Sequence, residues 1–215
     1  MIDKEKSAKF IIEKFKKRYP IPKCTLDFKS PLELLIAIRL SAQCTDERVN
    51  KVTPKLFANY KTLDDFANAN PKDIEKYIYS CGFYKTKSQN IIDMCKKIIN
   101  EFASMIPDNM EDLLSLPGIG RKTANLFLGE VYGKPALVVD THFIKVTKRL
   151  GFHDTKDPLK VEDIMSKYIP PEESLSFCHR IVEHGRKICT AHNPKCSICC
   201  INNVCDYFGK QMLTF

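Results

Sequence analysis

The chain has no apolar run that approaches the length of a membrane-spanning helix, which excludes a helical membrane anchor. It also lacks the apolar stretch of a secretory signal, because Met1 to Lys17 is charged throughout. That absence points to a reducing compartment, where cysteines stay free. Strand-like alternation is nearly missing: only Ala136 to Val139 looks extended, and a segment that short does not make a sheet. There is no internal repeat and no low-complexity linker, so neither a repeat array nor a pair of loosely tethered domains is indicated.

What is present is enough apolar content, 44% of 215 residues, to bury the core of one large or two modest domains. Lys and Arg outnumber Asp and Glu by 34 to 26, a formal charge of +8. Such an excess favours a polyanionic partner, but it is also common in lysine-rich proteins, so charge alone does not decide for nucleic acid.

Helical signals recur along the chain. Ala8, Ile11, Ile12, Phe15 and Tyr19 form one apolar stripe with Lys14, Lys16 and Lys17 facing water, and Pro20 and Pro22 end that helix. Ser30-Pro31-Leu32-Glu33 reads as a capping box that launches a buried helix through Leu34 to Leu40. Thr62 with Asp65, Asn70-Pro71 with Asp73, and Asp157-Pro158 are further helix starts. Ile91, Cys95, Ile98 and Phe102 make another stripe, and Leu175, Cys178, Val182 and Gly185 mark the face of the last helix before a cysteine-rich tail. Seams are expected near Pro20 to Pro22 and at Gly133-Lys134-Pro135. If the N-terminal helix packs with the C-terminal segment, two helical lobes result, with a cleft between them.

Ten cysteines are many for a reduced protein. Cys24, Cys44, Cys81, Cys95 and Cys178 sit singly among apolar residues and read as buried thiols. Cys189, Cys196, Cys199 and Cys205, spaced C-x6-C-x2-C-x5-C, look like four thiolates gathered on one metal centre. Sulfur ligands leave zinc or an iron-sulfur cluster as candidates. The spacing matches neither paired zinc knuckles nor the ferredoxin runs. Cys200 is a spare thiol that spacing does not exclude.

Between two helical patterns lies Leu116-Pro117-Gly118-Ile119-Gly120-Arg121-Lys122, which reads as a tight hairpin. Gly118 and Gly120 permit positive φ and close backbone approach, while Leu116 and Ile119 anchor the turn. Backbone N–H groups at the next helix start can hold a DNA phosphate without reading a base. Arg121 and Lys122 would occupy the first helical turn, where the dipole disfavours cations. The same field favours an uncharged, nucleophilic lysine amine, although a simple grip on phosphates is an equally open reading. Asp140, in Val138-Val139-Asp140-Thr141-His142, reads as a helix N-cap that can also accept a proton or steady a developing cation. His142 reads as a structural residue of that helix.

LPGIGRKTAN, VDTH and the cysteine quartet, joined in order by LLIAIRLSAQCTD (Leu34 to Asp46) and GFYKTKSQNI (Gly82 to Ile91), resemble the endonuclease III family of helix-hairpin-helix DNA glycosylases over nearly the whole chain. The resemblance implies an all-α protein with a six-helix domain over residues 22–134. It also implies a discontinuous domain, residues 1–21 plus 135–215, holding a [4Fe-4S] cluster on Cys189, Cys196, Cys199 and Cys205. It further implies a bifunctional glycosylase and lyase with Lys122 as nucleophile and Asp140 assisting, acting on oxidised pyrimidines or abasic sites in double-stranded DNA. By the same resemblance Gln43 fills the space left by the extruded base and Phe83 wedges beside the opposite strand. Leu116, Gly118, Ile119, Gly120, Arg121 and Lys195 are the remaining expected DNA contacts. The loop Thr190 to Lys195 carries only Lys195 as a permanent cation, fewer than relatives often have, and Arg186 and Lys187 stand ready to compensate. A monomer with no membrane association is the expected state.

Overall fold

The computed structural model describes residues 3–212, and every regular element among them is helical. In chain order the helices are α1 (Lys4–Arg18), α2 (Pro31–Ser41), α3 (Asp46–Asn59), α4 (Leu63–Ala67), α5 (Pro71–Ile78) and α6 (Tyr84–Glu101). They continue with α7 (Met110–Ser115), α8 (Arg121–Tyr132), α9 (Thr141–Arg149), α10 (Pro158–Ser166), α11 (Ser174–Lys187) and α12 (Asp206–Met212). Two compact units result: a central one, Cys24–Lys134, and a terminal one that joins Met1–Lys23 with Pro135–Phe215.

The central unit is built around α2. Leu34, Leu35, Ile36, Ala37, Ile38 and Leu40 are all buried, and the helix packs on α3, α6 and α8. Its start is capped by Ser30 Oγ, which accepts from Glu33 N at 3.2 Å. The reciprocal half of the expected capping box differs: Glu33 reaches one residue further back and accepts from Lys29 N at 2.6 Å. Thr62 and Asp65 do form the full box on α4. Helix α3 carries no strong sequence signal because Pro54 lies inside it. Interior proline costs about 3 kcal/mol, so the helix depends on burying Val49, Thr53 and Leu56 along one face.

In the terminal unit, α1 buries the expected stripe of Ala8, Ile11, Ile12 and Phe15 and packs on α11. The Phe15 ring lies 6.0 Å from Phe177 and 4.9 Å from His184. The buried face of α11 is offset from the expected one: it runs through Phe177, Cys178, Ile181, His184 and Gly185, with Leu175 and Val182 only half-buried beside it. Ala136 to Val139 is buried and extended without a partner strand. Side chains of α11 replace the missing ladder: Ala136 N donates to Ser174 Oγ at 2.9 Å, and Val138 N to Cys178 Sγ at 3.2 Å.

His184 is 1% exposed and its Nδ1 lies 2.9 Å from Tyr19 Oη. Burial, with smaller effects from Arg18 and Lys145, holds its pKa down to about 4 from an ordinary 6.5. The unfolded chain therefore binds a proton at this site below pH 6.5 that the folded chain refuses until about pH 4. Stability is full above that window and falls as pH drops through it. Urea midpoints are expected to show a loss of roughly 2 kcal/mol between pH 7 and pH 5, and His184→Gln should flatten this dependence.

Candidate functional site

In the central unit, α7 ends at Ser115 and the chain turns through Leu116 to Gly120 into α8. Leu116 and Ile119 are buried, and Ile119 N donates to Leu116 O at 3.1 Å, closing the turn. Both residues are thus anchors: their side chains face the core, and the Ile119 N–H is already used. Gly118 has φ +79°, and a Cβ there would collide with the Arg39 side chain beneath it. Gly120 differs from expectation. Its φ of −109° is ordinary for any residue, and a Cβ would meet open space.

Gly120 is nonetheless the N-cap of α8, and it offers no side chain to the helix start. Arg121 and Lys122 are exposed in the first turn that follows. Among the described residues no carboxylate or carbonyl holds the Lys122 Nζ. The start of α8 thus lacks a side-chain cap and exposes a primary amine in its first turn.

The hairpin rests on residues that sequence patterns did not single out. Arg39, on the otherwise apolar α2, lies half-buried under Gly118 and donates from Nη2 to Asn90 Oδ1 at 2.6 Å. Burial lowers its pKa, and its Nε has no hydrogen-bond partner among the described residues. Lys97 Nζ donates to Ser115 O at 3.1 Å, tying α6 to the end of α7.

Three loops of this unit carry left-handed residues that are not glycine: those at Gln43, at Phe83, and at Ala103 and Ser104 after α6. Gln43 has φ +53° just after α2, and Phe83 has φ +47° just before α6. Both side chains face solvent, Phe83 with 66% exposure. Such backbone costs on the order of 1–3 kcal/mol and clusters where function needs it. Tyr79, 68% exposed, adds a ring whose centroid lies 4.7 Å from that of Tyr84, tilted against it, beside the Phe83 loop.

In the terminal unit Asp140 is half-buried and caps α9, its Oδ1 accepting from Phe143 N at 2.7 Å. Oδ2 has no hydrogen bond among the described residues. His142 packs against Gly185, where a Cβ would meet its ring, and burial lowers its pKa. That fits a structural residue.

Cys189, Cys196, Cys199 and Cys205 line one pocket, and Cys200 is not among its walls. Burial, followed by neighbouring thiols, raises the pKa of Cys196, and burial is also the main cause of the rise at Cys205 and at Cys199, which is pushed up to about 12. Burial thus disfavours the thiolate form of Cys196, Cys199 and Cys205 where no cation compensates it. No group of three or more His, Cys, Asp or Glu among the described residues is drawn tightly enough to hold a single ion. Polar supports surround the pocket. Arg149 donates from Nη1 to Cys189 Sγ at 3.2 Å and to Thr190 O at 2.8 Å, and from Nη2 to Ala191 O at 3.0 Å. His184 Nε2 lies 3.6 Å from Cys199 Sγ. Lys195 is exposed on the loop between Cys189 and Cys196, and Arg186 and Lys187 are exposed in the last turn of α11, with Lys187 paired with Glu183 at 2.6 Å.

Comparison with known proteins agrees on one lineage. Residues 36–171 match the family model described as HhH-GPD superfamily base excision DNA repair protein. The chain is 43% identical over 206 residues to endonuclease III of Synechocystis sp., covering 95% of this chain and 94% of that one. It is also similar to the solved structure of a non-covalent endonuclease III–DNA complex, with TM-score 0.92, 39% identity and coverage of 99% of this chain and 100% of that one. The same figures hold for a trapped endonuclease III–DNA covalent intermediate, an estranged-adenine complex.

The two hairpin glycines make separable predictions. Gly118→Ala should lower the thermal midpoint, by about 1 kcal/mol or more in stability, because it strains the backbone and displaces Arg39. Gly120→Ala should leave the midpoint nearly unchanged, because its Cβ meets open space.

Proposed function

The chain belongs to the endonuclease III family of the HhH-GPD superfamily, the DNA glycosylases and abasic-site lyases of base excision repair, and from that membership we propose that it removes oxidised pyrimidines from duplex DNA through an imine on Lys122. The observation that carries the proposal is the exposed amine of Lys122 on the uncapped first turn of α8, immediately after Gly118-Ile119-Gly120. A trapped covalent intermediate of an endonuclease III, similar to this chain over 99% of its length, supports the covalent route.

The chemistry follows from those groups. A phosphate of the lesion strand settles on the start of α8, and the damaged base leaves the stack at low cost because it stacks poorly. Gln43 fills the vacated position and Phe83 enters beside the opposite strand. The Lys122 amine attacks C1′, forming a C–N bond as the glycosidic bond breaks and the base departs. By family resemblance, Asp140, which caps α9, takes the amine proton and steadies positive charge on the sugar. The sugar ring then opens as the C1′–O4′ bond breaks and O4′ receives the proton, and the protonated imine so formed acidifies C2′. Loss of the C2′ proton expels the 3′ phosphate by β-elimination and cuts the strand 3′ to the lesion.

Borohydride trapping tests nucleophile and reaction class together. Intact protein should form a covalent adduct with duplex DNA carrying an oxidised pyrimidine, and Lys122→Gln should abolish it and reduce strand cleavage by at least about a thousandfold. Base release without cleavage by the intact protein, or an undiminished adduct with the variant, overturns the proposed mechanism.

The pocket of Cys189, Cys196, Cys199 and Cys205 fits a [4Fe-4S] cluster: four thiols spread around one space suit a polynuclear centre better than a single ion. Such a centre supplies cross-linking of the tail and positive charge against four thiolates; it takes no part in bond cleavage. The loop it fixes presents Lys195, with Arg186 nearby, to the DNA backbone. Anaerobically purified protein should be brown and contain iron and acid-labile sulfide in equal amounts, and Cys199→Ala should lose both. A colourless protein with stoichiometric zinc contradicts this assignment.

A further inference from the structure

Lys87 is 1% exposed in the core of the central unit, and its ammonium has no carboxylate partner among the described residues. It donates instead to two backbone carbonyls: Leu40 O at 2.8 Å, in the last turn of α2, and Cys81 O at 2.7 Å, at the end of the short turn Tyr79–Cys81. Its own backbone N–H donates to Phe83 O at 2.9 Å. One residue therefore brackets Gly82 and Phe83 from both sides and fastens them to the end of α2, from which the chain runs through Ala42 to Gln43.

The backbone being fastened is strained. Gln43, Gly82 and Phe83 have φ of +53°, +64° and +47°. Local bonds alone are sparse there: Cys44 N donates to Ser41 O at 3.0 Å, and Phe83 caps α6 with no side-chain bond.

Burying an unpaired ammonium costs several kcal/mol, and burial lowers the Lys87 pKa accordingly. Packing does not require it, since methionine has nearly the same length and would fill the same space. The carbonyl dipoles at the end of α2 and of the following turn recover part of that cost. What a methionine could not do is hold two carbonyls from separate loops within one hydrogen-bond shell.

We propose that Lys87 is a positioning residue that sets the spacing and orientation of Gln43 and Phe83, so that both side chains enter the duplex in register when the lesion is extruded. The inference rests on the reading of Gln43 and Phe83 as DNA-inserting groups. It deepens that reading by naming what aims them.

The test is a double-mutant cycle on a duplex with a single thymine glycol, with lyase activity on single-stranded abasic DNA as the internal control. Lys87→Met should lower kcat/KM on the duplex by about 10- to 100-fold while leaving the single-stranded reaction within about twofold, because only the duplex requires insertion. In a Gln43→Ala, Phe83→Ala background, Lys87→Met should add less than about a twofold further loss. If the Met variant does not fold, Lys87→Arg keeps the charge but moves the donors, and it should show the same pattern. A Lys87 effect that persists in full in the double-alanine background, or that is equal on single-stranded DNA, overturns the positioning role. If Gln43→Ala and Phe83→Ala themselves leave the duplex reaction unchanged, the underlying insertion reading fails first, and the two failures are told apart.

Discussion

An arginine lying directly beneath a glycine sets the geometry on which the candidate chemistry depends. Because Gly118 has no Cβ, the hairpin backbone can lie on the Arg39 side chain, and because its φ is positive the chain can reverse within the few residues between α7 and α8. Leu116 and Ile119 then point into the core. With those three positions fixed, the first turn of α8 has one direction available, and Gly120, Arg121 and Lys122 are left on the outside of the unit. Any residue larger than glycine at 118 would strain the backbone and displace the Arg39 side chain beneath it.

The terminal unit solves a different problem by a similar economy. Its extended segment Ala136 to Val139 would need a sheet to satisfy its backbone, and α11 supplies Ser174 and Cys178 in place of one. This places Asp140 at the start of α9, where one oxygen of its carboxylate caps the helix. The far end of α11 leads into the thiol pocket, and His184 and Arg149 approach Cys199 and Cys189 from helices that also make the core. A cluster held there is supported by the folded helices as well as by its four ligands.

Much of this was legible in sequence because short-range chemistry carries it. Caps such as Thr62 with Asp65 and the stripe through Ile11 and Phe15 follow from local hydrogen bonds and helical periodicity, as does the turn at Gly118, whose residue type is forced by its backbone. The motif order around Lys122, Asp140 and the four cysteines resembled one family closely enough to name the chemistry. The expectations that changed concern which of several local options a residue takes. Helix α3 was obscured by Pro54, Glu33 chose Lys29 over Ser30, and Gly120 needs no positive φ.

Arg39 and Lys87 mark the boundary between the two kinds of information. The only sequence signal for Lys87 was its place on the apolar face of α6, four residues before Ile91, and for Arg39 a single cation in an apolar helix. Sequence by itself determined the helices, the hairpin, the nucleophile candidate and the thiol quartet, since each is written in spacings of a few residues. Only the tertiary structure decided that Arg39 supports Gly118, that Lys87 joins two strained loops, and that Cys200 stands outside the pocket. Those are contacts between segments far apart in the chain, and their energies depend on burial and on carbonyl dipoles that no local pattern encodes.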